Sequence, residues 1–444
     1  MPVNARGPKG LIIAAPSSGA GKTTVTLGLL RHLTRSGAAV VSAKVGPDYI
    51  DPAFHGAATG KPCRNLDAWA MRDATLGALL EDLGADGGLV VCEGVMGLFD
   101  GAGAQSSGST ADLAARLGWP VVLVVDIARQ AASAAAVLRG FATHRPDVAV
   151  AGVIANRASG EPHARLALDA MAAAMPAVAR LGWLPRREAL RVPERHLGLV
   201  QAREHPSLPA FLDAAADDVA AHLDIAALVA LARPAAAPGA WDGATPLPPL
   251  GQAIAVARDD AFAFAYPAVL AGWRRAGASL AFFSPLADEA PAPDADAVYL
   301  PGGYPELYPG RLAANRTFLD GVRAAAHRGA AVYGECGGYM VLGQGLVDRD
   351  GARHAMAGLL PLESSFARPR LQLGYRRARL LADGALGAAG QALRGHEFHY
   401  ATVLDEGPGQ ALFALADADG QALGQAGRAA GRVAGSFVHL IDRA

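Results

Sequence analysis

The run Ala15-Pro16-Ser17-Ser18-Gly19-Ala20-Gly21-Lys22-Thr23-Thr24 limits the fold of this chain more than any other feature. It follows an apolar segment, Leu11 to Ala15, and leads into an apolar stretch that reads as a helix from near Thr23. A glycine-rich turn from a strand into a helix start presents backbone amides to anions. Lys22 adds a mobile charge, and the Thr23 hydroxyl is suited to Mg²⁺. Ser18, Gly19, Ala20, Gly21, Lys22, Thr23 and Thr24 are therefore read as a nucleotide phosphate loop, although Pro16 stands where the general pattern has glycine. Such a loop belongs to a parallel sheet flanked by helices.

The segments around the loop fit that architecture. Ala39 to Ala43, Leu89 to Cys92, Val121 to Val125 and Val148 to Ile154 read as buried strands, and Arg129 to Gly140 as a helix. Two acidic clusters fall at strand ends, in Lys44-Val45-Gly46-Pro47-Asp48-Tyr49-Ile50-Asp51-Pro52 and in Cys92-Glu93-Gly94-Val95-Met96-Gly97-Leu98-Phe99-Asp100-Gly101. Mg²⁺ takes hard oxygens, commonly one or two carboxylates with phosphate and water. Asp48 and Glu93 are the acids expected to complete a metal site begun by Thr23. Asp126 also ends a strand, where a turn carboxylate is an equal reading. Asn156 reads either as a contact to an adenine edge or as a turn residue.

A Pro/Ala/Gly-rich stretch from Arg233 to Pro249 reads as a linker, after which the pattern restarts. Strands are expected at Ala253 to Ala257, Ser279 to Phe283, Ala297 to Leu300 and Ala330 to Tyr333, with a helix at Phe264 to Ala276. The last strand enters Gly334-Glu335-Cys336-Gly337-Gly338-Tyr339, whose glycines permit the sharp strand-to-helix turn of a nucleophile elbow. A thiol needs a base to act at neutral pH. His439, in Gly435-Ser436-Phe437-Val438-His439-Leu440, is the candidate base. Gly302 and Gly303, in Leu300-Pro301-Gly302-Gly303-Tyr304-Pro305-Glu306, together with Gly337, offer amides for an oxyanion.

Bulk properties exclude several classes. At 444 residues the chain exceeds one ordinary core, and with 52% hydrophobic residues it is a folded globular protein. A net charge of −1 implies no field-driven affinity for nucleic acid or anionic membrane. Three cysteines without metal-ligand spacing point to a reducing compartment. No signal-peptide pattern and no apolar run near the ~20 residues of a membrane span is seen, so a cytoplasmic location is expected.

Together these residues resemble the cobyrinic acid a,c-diamide synthases, glutamine-dependent amidotransferases of corrinoid biosynthesis. The resemblance covers nearly the whole chain. It rests on the segments quoted above and on Pro193-Glu194-Arg195-His196-Leu197-Gly198-Leu199 and Gly395-His396-Glu397-Phe398-His399-Tyr400. It implies a dethiobiotin-synthetase-like P-loop domain over residues 1–232, a linker over 233–251, and a flavodoxin-like class I glutaminase domain of the cobyric-acid type over 252–444. It implies Cys336 as nucleophile and His439 as its base. Many class I glutaminases carry an acid two residues past the histidine; Ile441 stands there, so a Cys-His dyad is expected. Asp48, Asp51, Glu93 and Asp100 match positions tied to metal, nucleotide or acid activation. His196, in a locally basic stretch, is a substrate candidate or part of a solvated face. His399 and Tyr400 read as glutamine pocket or as core.

The implied reaction is amidation of the a and c acetate carboxylates of cobyrinate or hydrogenobyrinate. ATP with Mg²⁺ would convert each carboxylate to an acyl phosphate, which ammonia released from L-glutamine attacks. An internal passage for ammonia is expected, because bulk water would protonate it. Implied partners are ATP, glutamine and a corrinoid tetrapyrrole, with no nucleic acid or membrane, and a homodimer is the working expectation for assembly. A nickel-sirohydrochlorin a,c-diamide synthase and a cobyric acid synthase share the domain pair. A regulatory or partitioning protein with an inactive glutaminase domain is the alternative of another class.

Overall fold

The computed structural model describes residues 7–85, 87–187, 190, 194–195, 198–199, 201–205, 207–236 and 245–444. The chain divides into two compact units, Met1–Trp69 with Asp73–Asp242, and Ala70–Arg72 with Gly243–Ala444.

The first unit is built on seven parallel strands: β1 (Lys9–Ala14), β2 (Val40–Val45), β3 (Arg64–Leu66), β4 (Leu89–Glu93), β5 (Val121–Asp126), β6 (Val150–Ala158) and β7 (Ala179–Pro185). Their order is β3-β2-β4-β1-β5-β6-β7. Nearly unbroken apolar runs such as Leu11-Ile12-Ile13 and Val121 to Val125 suit strands covered on both faces. β1 lies between β4 and β5, so chain connections leave it in both directions, and its carboxyl end is a topological switch point. Two short strands, β8 (Glu194–Arg195) and β9 (Gly198–Leu199), pair with each other. The stretch read as a linker begins inside this unit: β10 (Arg233–Pro234) pairs antiparallel with β1.

The helix Lys22–Arg35 buries Val25, Leu29 and Leu33 and packs beside Leu208–His222, where Arg31 and Asp213 form an ion pair at 2.7 Å. The helix expected at Arg129 to Gly140 runs instead over Ala134–Thr143. Asp126 holds the preceding residues in turns, accepting from the Ala128 N–H while its own carbonyl accepts from Gln130 Nε2.

The second unit adds β11 (Ala253–Ala257), β12 (Ser279–Phe283), β13 (Ala297–Leu300), β14 (Ala331–Glu335), β15 (Gly345–Val347), β16 (Arg353–Ala355), β17 (Leu362–Ser365), β18 (Gln372–Leu380), β19 (Ala392–His399), β20 (Thr402–Glu406), β21 (Gln410–Ala416), β22 (Ala422–Ala430), β23 (Val433–Ser436) and β24 (Val438–Arg443). The main sheet runs β12-β11-β13-β14-β23-β22-β21-β18-β19-β24. Its parallel part, β12-β11-β13-β14-β23, has the flavodoxin-type order, and all pairings from β23 to β24 are antiparallel. Only Phe437 separates β23 from β24 in the chain, yet four strands separate them in the sheet. The antiparallel half must therefore curl back, and this brings β24 next to β14. A helix expected at Phe264 to Ala276 spans Pro267–Arg275, because proline suits a first helical position.

Candidate functional site

In the first unit the loop leaves β1 at the switch point and enters the helix at Lys22. Gly21 takes φ 92°, and a Cβ there would overlap the Asn156 side-chain amide. Asn156 donates from Nδ2 to the Ala20 carbonyl at 2.8 Å, and its Oδ1 accepts from the Arg157 N–H. Its amide thus braces the loop. Lys22 Nζ donates to the Met96 carbonyl and, at 3.4 Å, to that of Ser17.

Thr23 Oγ1 donates to Glu93 Oε1 at 2.7 Å, so the two come together at the helix start. Glu93 is fully buried at the end of β4. The Lys44 ammonium, from neighbouring β2, sits 3.0 Å from Glu93 Oε1, bonds to Asp51 Oδ2, and lies 3.6 Å from Asp48 Oδ2. His55 Nε2 meets Glu93 Oε2 at 2.6 Å, with Cys63 Sγ 3.4 Å from the other ring nitrogen. Burial alone would push the Glu93 carboxyl up, but Lys44, His55 and Thr23 outweigh it and hold the group well below the usual range. Burial opposes the Lys44 charge as well, and Asp51, Glu93 and Asp48 together hold it well above its ordinary value. Burial and Asp48 pull Asp51 up against Lys44.

Asp48 also accepts from the Ile50 and Asp51 N–H groups through Oδ1, and Asp100 accepts from the Gly97 N–H at 2.8 Å. Asp100 therefore fixes its own turn. His196 lies outside the described residues. Among the described residues no group of three or more His, Cys, Asp or Glu is arranged as a metal cluster. The hard oxygens of Thr23, Glu93 and Asp48, beside a phosphate loop, fit a Mg²⁺ that completes its shell with phosphate and water.

In the second unit Cys336 stands between β14 and the helix Gly337–Leu342 with φ 46°, ψ −103°, a conformation that side-chain-bearing residues seldom adopt. The Cys336 N–H donates to the Ser436 carbonyl at 2.8 Å, which ties the elbow to the strand end just before His439. The thiol points toward the Phe398 carbonyl at 3.8 Å. Gly302 is pressed against the His439 ring, where any Cβ would overlap Cε1. A Cβ at Gly337 would lie 3.1 Å from the Gly303 nitrogen. The His439 ring thus lies against Gly302, Gly337 lies against Gly303, and Cys336 and His439 are both buried.

Burial pushes the Cys336 thiol well up, with Glu306 and Glu397 adding and the Gly337 N–H opposing. Burial, with His396 and His399 adding, pushes His439 down to about 3. Both groups therefore rest uncharged, Cys336 as a thiol and His439 as a neutral imidazole. His399 stacks on Phe437 at 4.0 Å and shares Glu397 with Arg376. Asp442, three residues past His439, is held by Arg72.

Some residues of these sites were not singled out from sequence. Lys44 and His55 surround Glu93, and Glu335, just before the nucleophile, lies 4.0 Å from His439 Nδ1 through Oε2. The available signal was a charged residue inside or ending an otherwise apolar strand.

Among the described residues no helix is long and apolar enough to cross a membrane. Residues 11–200 match the CobQ/CobB/MinD/ParA nucleotide binding domain, and residues 253–443 match the CobB/CobQ-like glutamine amidotransferase domain. The chain is 54% identical to the hydrogenobyrinate a,c-diamide synthase of Sinorhizobium sp over 98% of each chain. It is 55% identical to that of Rhizobium meliloti (strain 1021), over 98% of this chain and 99% of the relative. It is 53% identical to that of Rhodobacter capsulatus, over 98% and 99%.

Proposed function

The chain belongs to the family of hydrogenobyrinate a,c-diamide synthases, ATP-using carbon–nitrogen ligases of cobalamin biosynthesis that draw nitrogen from glutamine, and from that premise we propose how its two sites divide the reaction. The substrate is hydrogenobyrinate, the metal-free macrocycle for which these relatives are named, and its a and c acetate carboxylates become amides. A carboxylate is a poor electrophile because its leaving group would be oxide. Transfer of the γ-phosphoryl group of ATP to a carboxylate oxygen gives an acyl phosphate, which ammonia attacks with loss of phosphate. Lys22 leaves its carbonyl partners to offset charge on the phosphates, and the loop amides hold them. Thr23, Glu93 and Asp48 would hold Mg²⁺, which when bound neutralises charge on the phosphate oxygens.

In the second unit His439 takes the Cys336 proton, and the thiolate attacks the side-chain carbonyl carbon of glutamine. The imidazolium returns the proton to the amide nitrogen, ammonia leaves, and a thioester remains. Water, losing a proton to His439, hydrolyses the thioester to glutamate and the free thiol. Amides of the Gly302, Gly303 and Gly337 region stabilise the oxyanion.

The observation that carries this reading is the Cys336 elbow at positive φ, with Gly337 against Gly303 and the His439 ring against Gly302. In Cys336→Ala, glutamine-driven amidation is lost while ammonium-driven amidation continues. Survival of glutamine-driven amidation would remove Cys336 from this role. Steady-state kinetics on hydrogenobyrinate and cobyrinate decide the macrocycle, with the metal-free compound expected to give the higher kcat/KM.

A further inference from the structure

A glutaminase histidine that becomes an imidazolium inside a water-excluded core needs a counter-charge. The position two residues past His439 is the apolar Ile441, which is itself buried. The Asp442 carboxylate is buried on Arg72. A different acid faces the ring. Glu335, the last residue of β14, reaches His439 with Oε2 at 4.0 Å from Nδ1. Its placement is fixed from two sides: Tyr299 donates its hydroxyl to Oε2 at 2.7 Å, and the Leu440 N–H donates to Oε1 at 3.1 Å. Both side chains are almost wholly inaccessible to water.

We propose that Glu335 is the positioning residue of this glutaminase site, an acid supplied from the nucleophile's own strand that orients His439 and stabilises its imidazolium. The inference rests on the Cys336–His439 reading above and adds a third group to it. With Glu335 on the Nδ1 side, Nε2 is left to take the thiol proton and to return it to the departing nitrogen. No bond to Glu335 forms or breaks. At 4.0 Å the contact is an ion-pair separation, and catalytic hydrogen bonds commonly tighten when substrate binds. The physical sense is that of a buried charge pair: Cys336 and His439 ionise together, and Glu335 offsets the positive member.

The other groups facing this pair are Tyr299 and Tyr333 on the Glu335 side, and His396, His399 and Glu397 on the His439 side. Burial pushes the Glu335 carboxyl up to about 7 against the pull of Tyr299, the Leu440 N–H and Tyr333. The carboxylate is therefore present above about pH 7 and lost below it, which gives glutamine hydrolysis an acid limb.

Glu335→Gln keeps the side-chain shape and removes the charge. Its kcat for glutamine hydrolysis at pH 8 is expected to fall at least about tenfold, with KM within about twofold. The acid limb near pH 7 disappears, Glu335→Asp recovers part of the rate, and ammonium-driven amidation continues. An unchanged kcat and acid limb in Glu335→Gln overturns the proposal. If Glu335→Gln loses ammonium-driven amidation too, and so fails to fold, Tyr299→Phe decides. Losing that donor raises the Glu335 pKa and moves the acid limb to higher pH, and an unmoved limb overturns the proposal. Cys336→Ala separates the two readings. If it still uses glutamine, the parent reading fails; if it is silent while Glu335→Gln behaves as wild type, only the role of Glu335 fails.

Discussion

At the scale of the residue, the two sites solve opposite electrostatic problems. Around Glu93 the structure gathers charge: Asp48 in the loop after β2, Asp51 at the start of the next helix and Glu93 at the end of β4 surround the Lys44 ammonium, with His55 behind. Breaking a buried ion pair by removing one partner costs about 3–5 kcal/mol. Glu93→Gln is expected to lower the urea midpoint of the first unit and to abolish ATP-dependent amidation from either nitrogen source. The sign of its pH dependence follows from the depressed Glu93 carboxyl. The stability it contributes is present above the ordinary carboxylate value of about 4.3 and is lost as pH falls through the lower folded value. At the cysteine site burial instead holds the Cys336 thiol and the His439 imidazole uncharged. Glu335, raised to about 7, costs stability as pH rises from about 4.3 through 7. Relative to wild type, Glu335→Gln should gain stability over that range and hold the gain above it, as read by urea unfolding at pH 5 and pH 8.

At the scale of the element, both sites sit where a parallel strand turns into a helix. β1 leads into Lys22–Arg35 and β14 into Gly337–Leu342, and each turn carries backbone conformations that restrict the residue types it accepts. Gly21→Ala would strain a left-handed position and strike the Asn156 amide. A fall in ATP affinity, measured by equilibrium binding, is the expected result, with glutamine hydrolysis unaffected. Gly302→Ala would drive a methyl group into the His439 ring. Glutamine hydrolysis should fall sharply there while ammonium-driven amidation continues. The phosphate loop and the elbow were legible in sequence because each is a contiguous run whose geometry its own glycines impose. Helix starts at Ala134 and Pro267 were displaced from expectation because local competitors, the Asp126 turn and a proline, decide where a helix begins.

At the scale of the whole molecule, if each α/β unit carries one half-reaction as proposed, variants should dissociate them. Lys22→Ala is expected to remove amidation from both glutamine and ammonium while glutamine hydrolysis persists; Cys336→Ala is expected to lose glutamine hydrolysis and glutamine-driven amidation while ammonium-driven amidation persists. Assays of glutamate release and of amide formation on the same preparations check this. The sequence by itself determined the fold class and the two strand-to-helix turns that carry Lys22 and Cys336, because alternating apolar runs and glycine-bounded motifs act over a few residues. Only the tertiary structure decided what surrounds the charged groups. Lys44 and His55 reach Glu93 because β2 lies beside β4 in the sheet. Asn156 braces the loop because β6 lies two strands from β1. Glu335 meets His439 because the antiparallel half of the second sheet curls back and carries β24 to the end of β14. An acid two residues past a histidine can be read from spacing, whereas one delivered from another strand exists only once strand order is set.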